Sequence, residues 1–296
     1  MRPDDTVTIH RPLAARNRRI AIFYLHGGGL LYGERDDLPK PYINQFLDAG
    51  YTLICSDYPL APESPLPDIV DAVFETWRST IALPLSTGEY EGYFLFGRST
   101  GAYLSLLLAR EISQREQGNL LKPFGVLDFY GYHTVLDNSF SMPAKAYVSL
   151  PDVPRFQVDR LASTSCTIVT SGPKAIRYAL YVHARQHQGA WLDLMGLDRT
   201  APDRTPEAWS LSNEDISRLP PLFITSSSGD EDIPFRLSKE LSKKASGAVM
   251  KPVYYLPHDF DRDTSDPTGN RIYSEAIVWM GSQIEKAATS PWVPKA

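Results

Sequence analysis

The 296-residue chain holds only two cysteines, Cys55 and Cys166, too few for the disulfide framework of a small secreted scaffold. Cys55 ends the apolar run Tyr51-Thr52-Leu53-Ile54-Cys55, which reads as a buried strand where a thiol behaves as a small hydrophobe. A basic excess is missing too. Thirty Lys and Arg face 35 Asp and Glu, a net charge of −5, which excludes the electrostatic footprint of a nucleic-acid binder. No apolar stretch approaches the roughly 18 residues of a membrane span. Met1-Arg2-Pro3-Asp4-Asp5 lacks the apolar core of a signal peptide. These absences predict a cytoplasmic protein with no membrane span and no nucleic-acid partner.

What is present is a globular composition, 43% hydrophobic and 22% charged, long enough for one large α/β domain. Short apolar runs at 20–25, 51–55, 93–96, 124–130, 221–225 and 249–256 read as strands. Helix-periodic stretches lie between or after them at 41–49, 68–79, 102–114, 235–245 and 272–287. Such alternation predicts a parallel sheet covered by helices. The stretch 133–218 holds no convincing core strand, only helical patterns at 174–187 and 212–217. A structureless loop of that length is improbable, so it reads as a lid inserted into a sheet domain made of 1–132 and 219–296.

Gly97-Arg98-Ser99-Thr100-Gly101 follows one strand directly and opens a helix. In that context G-x-S-x-G makes a strained turn that lifts the serine hydroxyl clear of the backbone; the alternative is a tight glycine turn whose serine merely caps the helix. His26-Gly27-Gly28-Gly29 follows the preceding core strand but one. Consecutive glycines let backbone N–H groups turn toward a developing oxyanion. A serine nucleophile needs a base and the base an acid. His258 has the best setting of the six histidines, just past the last strand. Asp230, past the strand before it, completes the chain order Ser, Asp, His, with Asp232 and the strand residue Asp128 as rivals. His183 and His187 stand four apart on one helix, a spacing that can hold a metal, but the intervening Ala184-Arg185-Gln186 supplies no glutamate. No metal and no cofactor are expected.

Together with Asp57-Tyr58-Pro59-Leu60-Ala61-Pro62-Glu63 and Asp230-Glu231-Asp232-Ile233-Pro234, these motifs resemble the hormone-sensitive-lipase-like branch of the α/β-hydrolases. The resemblance implies the α/β-hydrolase fold, with a mostly parallel central sheet, helices on both faces and an inserted helical lid. It implies Ser99 as nucleophile, His258 as base and Asp230 as acid. The N–H groups of Gly28, Gly29 and Thr100 would form the oxyanion hole. Three departures stand out. Only 25 residues precede His26, where the family carries a helical cap. Pro59 replaces an arginine expected to anchor Glu63 or Asp68. Arg98 replaces an acidic residue, and reads as a salt-bridge partner or as an attractor of anionic substrate.

The expected reaction is cleavage of small to medium carboxylic esters through an acyl-enzyme on Ser99. Amide or peptide hydrolysis by the same machinery, and a non-catalytic ligand-binding role, are the alternatives. Lid charges balance, nine basic against nine acidic over 133–218, so no substrate charge is favoured. Tyr147, Tyr178, Tyr181, Trp191 and Trp209 are the candidates for an aromatic pocket, or simply for packing the lid. The oligomeric state is not legible.

Overall fold

Strands carrying apolar side chains on both faces must be buried on both. In β2 (Ile20–Leu25), Ala21, Phe23 and Leu25 enter one apolar cluster, while Ile20, Ile22 and Tyr24 enter another. A computed structural model describes residues 6–115, 122–162 and 169–289; Cys166 lies outside them, and Cys55 is a buried free thiol. Among the described residues, β1 (Val7–His10), β2, β3 (Thr52–Ser56), β4 (Gly92–Arg98), β5 (Val126–Phe129), β6 (Leu222–Ser227) and β7 (Val249–Val253) form one sheet. Their order is β1-β3-β2-β4-β5-β6-β7. Only β1 runs antiparallel, against β3; β2 to β7 are parallel.

One face packs on the helices Leu66–Trp77 and Thr100–Arg115 through residues such as Ile69, Val73, Leu104 and Leu107. The other packs on Lys40–Asp48 and Pro267–Thr289 through Tyr42, Phe46, Tyr273 and Met280. Strand order reverses between β2 and β4, and an open parallel sheet places its sites at the carboxyl ends beside such a switch. The His26 glycines and the Ser99 turn are the loops leaving those two strands.

β1 was not legible in sequence: it is a four-residue edge strand without a fully buried position. The β7 pattern continues to Leu256, but the strand stops at Val253 and Tyr255 takes φ 61°. Between β5 and β6 no strand occurs among the described residues. The expected helices there are Lys174–Gln186 and Asn213–Arg218, the second closed by reciprocal bonds between Ser212 and Asp215. Asn138–Ser141, Lys145–Val148, Arg155–Leu161 and Ala190–Leu194 add four helices of 4–7 residues, too short to leave a periodic signal. No helix among the described residues is long and apolar enough to cross a membrane.

Candidate active site

Ser99 sits between the last residue of β4 and the helix Thr100–Arg115 with φ 54°, left-handed backbone that a side chain adopts only under constraint. The flanking glycines permit the turn. A Cβ on Gly97 would lie 2.1 Å from the Gly101 backbone, and one on Gly101 would lie 2.1 Å from the Leu25 carbonyl oxygen. Neither neighbour can yield. Gly101→Ala is therefore expected to cost about 3 kcal/mol or more, measured as a fall in the denaturation midpoint; an unchanged midpoint would show that the elbow has slack.

The directions of the Gly28, Gly29 and Thr100 N–H groups follow from the carbonyls they share peptides with, since N–H and C=O point oppositely across a trans peptide. The Gly27 carbonyl is held by the His26 ring at 2.8 Å and the Tyr58 hydroxyl at 3.3 Å, so the Gly28 N–H faces away from them. The Gly28 carbonyl accepts from the Leu31 and Tyr32 N–H groups at 3.0 and 3.1 Å, which turns the Gly29 N–H the other way. Likewise the Ser99 carbonyl accepts from Ala102 and Tyr103 at 2.9 and 3.3 Å, freeing the Thr100 N–H. Among the described residues, no acceptor engages these three N–H groups. Gly28 and Gly29 carry φ 106° and 65°, which is why the run must be glycine. Burial lowers the pKa of His26 and keeps it neutral, so its Nδ1–H donates to the Gly27 carbonyl. It stacks on Tyr58 with centroids 4.2 Å apart.

His258 and Asp230 come from the loops after β7 and β6. The Ser99 hydroxyl lies 2.8 Å from His258 Nε2, and His258 Nδ1 lies 2.6 Å from Asp230 Oδ2. With the imidazole neutral, Nδ1–H donates to the carboxylate and Nε2 accepts the serine proton. The fully buried Asp230 carboxylate also accepts the Asp232 and Ile233 N–H groups, both at 2.8 Å. Burial pulls the His258 pKa down, but the Asp230 charge and hydrogen bond, with Asp232 and Asp259 nearby, more than offset this and raise it to about 9. The rivals are otherwise occupied. Asp232 accepts from Tyr147, Tyr181 and Arg185. Asp128 is buried, bonded to the Gly131 N–H, and burial pushes its carboxyl up to about 7.

A cavity of about 450 Å³ opens over Ser99 and His258. Tyr32 and Tyr181 line it, but so do Lys174, Arg262, Glu34, Asp36 and Asp259, making the walls more polar than an aromatic pocket. Tyr147 and Tyr178 border a neighbouring cavity that shares Tyr32, Lys174 and His258 with the first. Trp191 is buried in the core. Trp209 lines neither cavity; it bonds the Asp203 carbonyl beneath Arg110. Arg98 turns inward, with Nη2 2.9 Å from Asp261 and Nε 2.6 Å from the Tyr130 hydroxyl. It is the buried salt bridge of the two readings. Because Tyr130 packs edge-on to His258 at 4.8 Å, Arg98 braces the imidazole from behind the nucleophile. His183 Nδ1 is bonded to the Val153 carbonyl.

Sequence reasoning missed the partners supplied by the segment between β5 and β6. Arg177 supplies a cation to Glu63, one of the two carboxylates left without the arginine expected at Pro59: it holds Glu63 at 2.7 and 2.8 Å and donates to the Leu31 and Ala61 carbonyls. Trp191 donates to the Gly29 carbonyl at 3.0 Å. The one available signal was the Pro59 departure, which removed an expected anchor for Glu63 or Asp68 without pointing to another.

Comparison with known proteins agrees with the fold. An α/β-hydrolase superfamily protein of Enterococcus faecalis is 31% identical, with a TM-score of 0.77 over 93% of this chain and 94% of its own. A probable carboxylesterase M8 of a Phoma species is 26% identical over 84% of this chain and 81% of its own length. A non-reducing polyketide synthase, adrD of Penicillium roqueforti, is 29% identical over 53% of this chain, which spans only 6% of that relative's length. The family model described as alpha/beta hydrolase fold, Abhydrolase_3, matches residues 22–243. The chain belongs to this α/β-hydrolase family.

Proposed function

We propose that the protein is a serine hydrolase that cleaves carboxylic esters of small to medium acyl groups. Ser99 is the nucleophile, His258 the general base, Asp230 its orienting acid, and the N–H groups of Gly28, Gly29 and Thr100 the oxyanion hole. The observation that carries this reading is the continuous relay from Ser99 Oγ through His258 to Asp230, at 2.8 and 2.6 Å, on a serine held in left-handed backbone.

Ser99 Oγ attacks the ester carbonyl as His258 Nε2 takes its proton, while Asp230 holds the tautomer. Charge on the carbonyl oxygen meets the three N–H groups; losing one such donor typically costs about 2.7–4 kcal/mol. Collapse expels the alcohol, which receives the proton from His258, and water repeats the sequence on the acyl-enzyme. A cavity of about 450 Å³ suits a compact substrate. The segment 133–218 serves as the lid over a core of 1–132 and 219–296. The likeness to a probable carboxylesterase supports the ester class.

A fluorophosphonate probe should label the wild-type protein on Ser99, and p-nitrophenyl esters should be turned over with rates falling as the acyl chain lengthens. Folded protein that neither labels nor hydrolyses any ester overturns the reading. Faster turnover of aminoacyl anilides than of esters would move it to amides.

A further inference from the structure

The loop carrying the Gly28 and Gly29 N–H groups is strained at its far end. Gly29 and Leu30 both take φ 65°, and for leucine that conformation persists only where surroundings enforce it. The enforcing groups come from about 150 residues away in the chain. Trp191 is 1% exposed and its indole Nε1–H donates to the Gly29 carbonyl at 3.0 Å. The Tyr181 ring fills the space where a Gly29 Cβ would sit, within 2.2 Å of it. Arg177 Nε donates to the Leu31 carbonyl at 2.7 Å, fixing the peptide beyond. Without the indole donor, the Gly29 carbonyl is a buried acceptor lacking this partner. The Gly29–Leu30 peptide then loses one restraint against relaxing toward unstrained backbone, and the Gly28–Gly29 peptide, which bears the Gly29 N–H, is left to the bonds its carbonyl accepts from Leu31 and Tyr32.

We propose that Trp191 is a positioning residue of the oxyanion hole, its indole N–H holding the Gly29 carbonyl so that the Gly29 N–H stays aimed at the reacting oxygen. This rests on the ester-hydrolase reading of that N–H group. It makes the segment between β5 and β6 a working part of the site as well as its cover. The guanidinium of Arg185, which holds Asp232 two residues from the acid Asp230, lies 4.7 Å over the same indole. Both loops of the site are thus tied to one buried ring.

The test is Trp191→Phe, which keeps an aromatic ring and removes the donor, beside Trp191 replaced by β-(3-benzothienyl)alanine, which keeps the whole bicyclic outline with sulfur in place of N–H. Should the phenylalanine variant fail to fold, the isostere decides. For either folded variant, kcat toward a short-chain p-nitrophenyl ester is expected to fall about tenfold, with KM within about twofold of wild type. The affinity for a trifluoromethyl ketone, whose tetrahedral adduct with the serine carries the oxyanion, should weaken by the same factor. The pH inflection set by His258 should not move. An isostere with wild-type kcat and ketone affinity overturns the role of the indole N–H, as does a loss confined to KM. A wild-type enzyme that turns over no ester and binds no ketone overturns the functional reading first, and this proposal with it.

Discussion

Ser99→Ala is expected to lower kcat for ester hydrolysis by a factor on the order of 10⁴–10⁶ while leaving the unfolding transition in place. Alanine accepts the φ of 54° no worse than serine does, since both carry the same Cβ. Among the described residues, the hydroxyl it removes bonds the His258 side chain, so the fold loses little. Adding His258→Ala to that variant should cost almost nothing more, because members of one relay fail as a unit. Steady-state rates on a p-nitrophenyl ester, with circular dichroism to confirm folding, read both outcomes. Two independent losses that multiply in the double variant would mean that the two residues do not share one step.

The pH profile should be equally distinctive. In its proposed role His258 acts as a base only when neutral, and its pKa is raised from the ordinary 6.5 to about 9. On the acid side, kcat/KM should therefore climb about tenfold per pH unit and bend near 9, a profile that reports the free enzyme. Asp259→Asn removes one of the charges that raise this pKa and should move the bend toward 6.5. A bend already at 6.5 in the wild type would show that the surrounding carboxylates do not act on the imidazole. Stability runs the other way. A folded-state pKa above the unfolded value favours the fold while the imidazole is protonated; that contribution is complete below about 6.5 and is lost as pH rises through about 9. The protein should thus lose this part of its stability over the range in which activity appears, and Tm measured from pH 6 to 10 should show the decline.

Arg98 explains how a chain lacking the family's acidic residue before the nucleophile still fixes its histidine. Its guanidinium is buried against Asp261, which also accepts hydroxyls from Tyr130 and Tyr273 at 2.8 and 2.7 Å. Asp261 follows His258 by three residues, so the pair ties the elbow to the loop carrying the base. A buried charge cluster of this kind tolerates removal of one partner poorly. Arg98 borders the cavity over Ser99, but its guanidinium is already paired with Asp261 and Asp37.

Local pattern alone determined the parallel strands β2 to β7, the Ser99 turn and the glycine loop, and it narrowed the proposed base to His258 and the proposed acid to Asp230, with Asp232 and Asp128 as rivals. Short continuous apolar runs, a glycine-flanked serine and polar loops at strand ends are all local features of the sequence. Tertiary structure alone decided which groups brace that machinery. Arg177 reaches Glu63 across 114 positions, Trp191 reaches Gly29 across 162, and Arg98 reaches Asp261 across 163. A side-chain bond over such a separation imposes no periodicity on either partner. An arginine bound for a buried carboxylate and a tryptophan bound for a carbonyl look, in sequence, like any others on a helix. Their partners are set only when the sheet brings its loops and the segment between β5 and β6 to one edge.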